Sequence, residues 1–270
     1  MQPQALKPLN QALQTLTPSG KGIKISDRKA SDFSVSEINH LLAHYHWVAF
    51  TGHPMTEEES IGLVSQFGTL TNNERRTQGV LKIDGSKEKE GEVLLGKGFL
   101  PLHRDGALMG TNVLMVGICC LEYNDVTFGG RTFITDLETA TTAIPSAYLD
   151  TIREHGVEGK PVDQYYLKAA SSWHPLPGFI TVEGKDYLNI GLPYPENEKP
   201  SWLVRIPHID QAQSDDILFG IAEVLMDEKY CYYHEWEVGD LLLFDNRKTL
   251  HGREAFSGQR SLANIQALVD

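Results

Sequence analysis

Apolar and polar residues alternate with two different periods along this chain, and the change of period divides it. Near the N-terminus Ile38, Leu41, Leu42 and Tyr45 recur at helical spacing behind Ser34-Val35-Ser36-Glu37, a sequence with the form of a capping box. The run Trp47-Val48-Ala49-Phe50 then reads as a buried strand ended by Gly52. A second capped helix is predicted from Thr56-Glu57-Glu58-Glu59, carrying Ile61, Leu63, Val64 and Phe67 and stopping at Gly68.

From about residue 78 the period shortens to that of strands. Short runs rich in Val, Ile, Leu, Tyr and Phe fall at Gly79–Ile83, Glu92–Leu95, Asn112–Leu121, Arg131–Thr135 and Phe179–Val182. Others fall at Tyr187–Ile190, Tyr230–Trp236, Asp240–Phe244 and Leu262–Val269. Helical spacing returns only at Ala147–Glu154 and Asp210–Asp227. Many short strands with a few helices predict a mainly β fold with flanking α-helices, a double-stranded β-helix (jelly roll) able to hold a metal between its sheets. The charged stretch Asp84–Glu92 reads as an exposed turn, and Lys199–Arg205, next to Pro195, Glu196 and Asn197, as a lid.

Composition narrows the picture modestly. At 270 residues, 41% hydrophobic and 22% charged, the chain suits one domain over residues 1–270, with about the first 20 as an extension. A net charge of −12 argues against nucleic acid or an anionic membrane as partner, while leaving an anionic small molecule open. A homo-oligomer is compatible with all of this. Three cysteines, two of them adjacent, form no disulfide framework, and the polar start has no signal-peptide core. No run approaches the roughly 20 apolar residues of a membrane span. The expectation is a soluble cytoplasmic protein.

The chemistry concentrates at His103-Arg104-Asp105 and the distant His251. Residues two apart on a strand end face the same side, so His103 and Asp105 can share a cavity. Two histidines and one carboxylate form a facial metal set that leaves open positions for substrates and oxygen. Alone, His-x-Asp is a weak signal. His40, His44, His46, His208 and His234 lie on or beside helices and strands and read as ordinary histidines.

The surrounding sequence is more specific. Leu100–Gly106, Phe128-Gly129-Gly130-Arg131-Thr132, Gly239–Arg247 and His251–Phe256 together resemble the taurine dioxygenase superfamily of Fe(II)/2-oxoglutarate oxygenases. Within it, Gly98 to about residue 266 looks most like carbapenem synthase, and His251–Phe256 is also similar to isonitrile-forming members. The resemblance implies that His103, Asp105 and His251 hold Fe(II), with 2-oxoglutarate and O2 as co-substrates. It implies that Thr132 and Arg260 bind the distal carboxylate of 2-oxoglutarate, as a guanidinium fork and a hydroxyl can. Arg253 is a second candidate for that co-substrate or for an ion pair with Glu254. An intact Asp105 argues against halogenation, which in this superfamily requires the carboxylate to be absent.

Two departures bear on substrate. Asn264 stands where members binding an anionic substrate often carry a second arginine, which leaves Arg104 as the replacement cation. Thr71-Asn72-Asn73-Glu74-Arg75-Arg76 replaces a tyrosine-bearing segment of carbapenem synthase. Substrate candidates are Asn72, Leu95, Phe99, Arg104, Trp202, Arg205 and Asn264, with core packing the plainer reading for Leu95, Phe99 and Trp202. The implied reaction is oxidation of an unactivated C–H bond (hydroxylation, desaturation or ring or stereochemical modification) in a small amino-acid-derived or β-lactam-like metabolite of natural-product biosynthesis. The competing readings are a catabolic taurine-dioxygenase-like hydroxylase and a metal-binding jelly roll without redox chemistry.

Overall fold

The computed structural model describes residues 14–73, 75–85, 93–162 and 172–269. The chain opens with β1 (Ile23–Ile25), α1 (Val35–Tyr45), β2 (Trp47–Phe50) and α2 (Glu57–Val64). β3 (Val80–Asp84), β4 (Leu100–His103), β5 (Val113–Asn124) and β6 (Thr132–Asp136) follow. Next come α3 (Leu137–Ala140), α4 (Ser146–His155), β7 (Val157–Pro161), β8 (His174–Leu176), β9 (Phe179–Val182) and β10 (Lys185–Leu188). The chain finishes with β11 (Trp202–Arg205), α5 (Gln211–Leu225), β12 (Cys231–His234), β13 (Leu241–Asp245), β14 (Thr249–Arg253) and β15 (Gln259–Leu268).

Two sheets build the frame. The larger has the order β1-β2-β13-β5-β15-β3, antiparallel except for the β1–β2 pair, and the smaller has the order β12-β6-β14-β4. Their inner faces meet in an apolar layer of Trp47, Val116, Ile118, Phe244 and Leu262 against Ile134. On β13 the side chains alternate between two cores, Leu242 and Phe244 inward, Leu241 and Leu243 outward, so the strand is buried on both faces. Helices α1 and α2 cover the outer face of the large sheet, while α4, α5 and the β11-β7-β8 sheet cover that of the small one.

Both predicted capping boxes are present. Ser34 pairs reciprocally with Glu37, and Thr56 with Glu59, each satisfying otherwise orphaned N–H groups. Asp210 caps α5 through Gln213 N. Helix α2 ends at Val64 rather than Gly68; Gly68 is small for another reason, since a Cβ there would lie 2.2 Å from Leu268 O. The lid expected at Lys199–Arg205 is instead largely strand, because β11 pairs antiparallel with β7 from Trp202↔Pro161 to Arg205↔Glu158. Val93–Leu95 forms a turn and not the expected strand. Glu92 and nearly all of the charged turn lie outside the described residues, as do the first 13 residues of the extension. Among the described residues no helix is long and apolar enough to cross a membrane.

Candidate active site

The small sheet brings the two distant histidines together. β14 lies antiparallel to β4 with His251 opposite His103, and their ring centroids are 4.5 Å apart. Gly252 permits this approach, because a Cβ there would sit 2.5 Å from Leu100 O and 2.3 Å from Phe133 Cε2. Asp105 lies two residues beyond β4, with Oδ1 3.4 Å from His103 Nε2 and 3.9 Å from His251 Nε2. The three candidate donor atoms lie within 4.8 Å of one another.

Neighbouring groups set the protonation of this cluster. His103 Nδ1–H donates to Pro101 O at 2.9 Å, which leaves the Nε2 lone pair toward the cluster. Burial and the adjacent His103 push His251 down to about 3, so its ring is neutral. Burial alone would raise the Asp105 carboxyl, but the His251 and His103 rings and Arg76 hold it well below the usual carboxylate range. Two imidazoles and one carboxylate are donor types that a divalent cation takes up in their deprotonated forms. Asp105 Oδ2 is already occupied, accepting from Asn264 Nδ2 at 3.0 Å and Gln266 Nε2 at 2.6 Å.

Asn246 fastens the two halves of the cluster. Its amide accepts from Asp105 N–H (3.1 Å) and donates to Asp105 O and Val113 O (both 3.0 Å). The turn between β13 and β14 is thereby locked to the turn carrying Asp105. In the sequence this residue stands out only as part of the Gly239–Arg247 segment.

Thr132 and Arg260 line the same cavity. Arg260 Nη2 donates to Thr132 Oγ1 at 3.0 Å, and Trp236 Nε1 donates to the same oxygen at 3.1 Å. With both lone pairs engaged, the Thr132 hydroxyl proton is free to donate to a ligand. Among the described residues, Arg260 Nε and Nη1 are buried without a hydrogen-bond partner. Burial and the nearby Arg253 push this guanidinium down to about 9. A buried arginine so poorly compensated is expected to take an anion, and the carboxylate of 2-oxoglutarate fits that demand.

Several expected site residues take other roles or lie outside the cavity. Arg253 lines the cavity, but its guanidinium is engaged with the carbonyls of Val93, Leu94 and Gly98, while Glu254 pairs with Arg131. Asn264 faces Asp105 and donates to its Oδ2. Asn72 is exposed and braces its own turn through Gly79 N–H, leaving Thr71 and Asn73 to line the cavity. Leu94, not Leu95, borders the cavity. Phe99 stacks on Phe133 in the core, and Arg205 pairs with Glu158 over Trp173, outside the cavity lining.

Trp202 does form a wall, its ring 5.2 Å from His103 and its indole N–H held by Leu192 O. Arg104 is buried at the cavity edge, where burial and Arg247 lower its guanidinium. Trp236, Asn246, Gln266 and Arg76 were missed. For Gln266 a signal existed, since Arg260, Leu262, Asn264 and Gln266 alternate along β15 and all four line the cavity.

Residues 6–266 match the taurine catabolism dioxygenase TauD, TfdA family. The chain belongs to this family. It is an Fe(II)/2-oxoglutarate-dependent dioxygenase, and the non-redox reading is set aside. Among its relatives, 3-((Z)-2-isocyanoethenyl)-1H-indole synthase of Fischerella ambigua is 22% identical, covering 95% of each chain. Tyrosine isonitrile desaturase of Erwinia amylovora is 25% identical over 61% of this chain and 56% of its own. The crystal structure of PvcB from Pseudomonas aeruginosa superposes with a TM-score of 0.69 at 20% identity, covering 96% of this chain and 88% of PvcB. These relatives are isonitrile-pathway enzymes and not carbapenem synthase specifically, which corrects the finer resemblance.

Proposed function

We propose that this single-domain jelly roll oxidises an unactivated C–H bond in a small amino-acid-derived metabolite of natural-product biosynthesis, with desaturation of an isonitrile-bearing substrate the outcome the relatives favour. One observation carries the reading: the His103–Asp105–His251 cluster and the Arg260 guanidinium, whose Nε and Nη1 have no partner among the described residues, open on one cavity. A metal site without redox chemistry has no use for a buried carboxylate clamp beside it. The likeness to carbapenem synthase, and with it a β-lactam-like substrate, rests on the sequence stretch alone.

In this reading His103, Asp105 and His251 hold Fe(II), which with 2-oxoglutarate and O2 supplies the oxidising power for hydrogen abstraction. Arg260 grips the distal carboxylate of the co-substrate, and Thr132 donates its hydroxyl proton to it. Trp236 fixes the direction of that proton by occupying the Thr132 oxygen. Leu81, Ile83, Leu94, Leu108 and Trp202 wall the remaining space and exclude water from the reacting centre. With Asn264 in place of a second arginine, no guanidinium at that position is available for a substrate sulfonate, which disfavours the catabolic reading.

The test is an anaerobic mixture of metal-free protein, Fe(II) and 2-oxoglutarate, followed by oxygenation with isonitriles of aromatic amino acids. A visible charge-transfer band and succinate formed in step with a desaturated product are expected. A band with no isonitrile oxidised would overturn the substrate class, and no band would overturn the site.

A further inference from the structure

Behind Asp105 runs a line of side chains that the reaction itself does not consume. Arg76, buried in the loop between α2 and β3, donates from Nη2 to Asn264 Oδ1 at 3.0 Å. Its Nη1 donates to Asn264 O at 3.0 Å and Gly79 O at 3.2 Å. With Oδ1 committed to the guanidinium, the Asn264 amide turns its NH2 the other way, and Nδ2 meets Asp105 Oδ2 at 3.0 Å. Gln266 reaches the same oxygen at 2.6 Å. The other carboxylate oxygen, Oδ1, is the one facing the two imidazoles.

We propose that Arg76 is a positioning residue which, through Asn264, keeps Asp105 a one-oxygen ligand of the metal. The inference rests on the metal-site reading above. A carboxylate binding through both oxygens would occupy an additional position, one that the co-substrate and O2 need. Two amide donors on Oδ2 hold that oxygen away.

An asparagine by itself cannot guarantee this, because its amide can turn over and present oxygen where nitrogen is needed. A guanidinium has donors only, so it accepts one orientation of the amide and rejects the other. Arg76 therefore selects the rotamer of Asn264, and Asn264 selects the denticity of Asp105.

The same arginine connects the metal ligand to the cavity wall. Its main-chain N–H donates to Asn73 O at 3.1 Å, and Thr71 N–H donates to Gln266 O at 3.0 Å. Thr71 and Asn73 both line the cavity. A substrate resting on this loop thus bears on both residues that hold Oδ2.

The experiment is a Co(II) titration of the metal-free protein, followed by visible absorption. It compares wild type, Arg76→Met, Arg76→Lys, Asn264→Leu, Arg76→Met/Asn264→Leu and, as site control, His251→Ala. Arg76→Met and Asn264→Leu are each expected to weaken Co(II) binding by about 10–100-fold, the usual effect of removing a residue that orients a ligand. The double variant should bind no more weakly than Asn264→Leu, since Arg76 acts through that amide.

Arg76→Lys keeps the charge without the fork and should stay nearer Arg76→Met than wild type; it also serves if the Met variant fails to fold. Co(II) affinity within about two-fold of wild type in the Arg76 variants, or losses that add in the double variant, would overturn the proposal. If wild type binds no Co(II), or His251→Ala binds as wild type does, the metal-site reading falls and takes the proposal with it.

Discussion

Replacing Arg260 with methionine should move two measurements in opposite directions. This guanidinium is 3% exposed, donates to Thr132 through Nη2 and, among the described residues, has no partner for Nε or Nη1. Removing an uncompensated buried charge for an apolar side chain of similar length is expected to stabilise the fold by about 1–3 kcal/mol, since such swaps are often favourable. For a chain of this size that raises the melting temperature by a few degrees.

The same change should damage co-substrate binding. Two charge-assisted hydrogen bonds to a carboxylate, at about 1.5–3 kcal/mol each before overlap, place the loss near 3–4 kcal/mol. That corresponds to a dissociation constant roughly 100- to 1000-fold higher. Anaerobic titration of the Fe(II) protein with 2-oxoglutarate, read at the visible charge-transfer band, measures this loss, and thermal unfolding of the metal-free protein measures the first effect. A variant that melts lower than wild type yet binds 2-oxoglutarate within about five-fold would refute the reasoning and make Arg260 an ordinary structural arginine.

Trp236→Phe removes the donor that occupies the Thr132 oxygen; 2-oxoglutarate should bind about 5-fold more weakly, one hydrogen bond's worth, with Co(II) affinity unchanged. Gly252→Ala should cost about 1–3 kcal/mol in urea unfolding, because the new methyl meets Leu100 O and Phe133. It should also weaken Co(II) binding by prising His103 from His251. Metal-free protein should lose stability as pH falls from 6.5 toward about 3, because the unfolded chain takes up a proton that buried His251 refuses. That group alone contributes about 1.4 kcal/mol per pH unit, so urea midpoints across the range should fall less steeply in His251→Gln.

What was legible in the sequence was local. The capping boxes at Ser34 and Thr56 close within a single helical turn, and β13 and β15 announce themselves by composition. The His103–Asp105–His251 set was legible because its flanking segments resemble a known family. What escaped were side chains whose partners lie far along the chain: Arg76 and Asn264 are separated by 188 positions, and Asn246 and Asp105 by 141. No local pattern marks such a bond. Arg253 and Arg260 illustrate the same limit, since only the sheet decides that one meets the carbonyls of Val93, Leu94 and Gly98 while the other keeps two nitrogens without a partner among the described residues. The segment taken for a lid misled because its proline-flanked start hides a strand whose partner, β7, lies some 40 residues earlier.

Strand β15 has a consequence beyond the roles of its individual residues. Toward the cavity it presents Arg260, Leu262, Asn264 and Gln266; toward the helical side it presents Ala263, Ile265 and Ala267 to an apolar core containing Leu63 and Val64 of α2. It is a party wall, with the chemistry on one side and a helix pressed on the other. Small residues behind the wall set where it stands. Enlarging Ala263 or Ala267 would push the strand inward and alter the spacing between the residues that grip a carboxylate and those that steady a metal ligand. Selection can therefore retune this catalyst from its blind side, through substitutions that never touch substrate, co-substrate or metal.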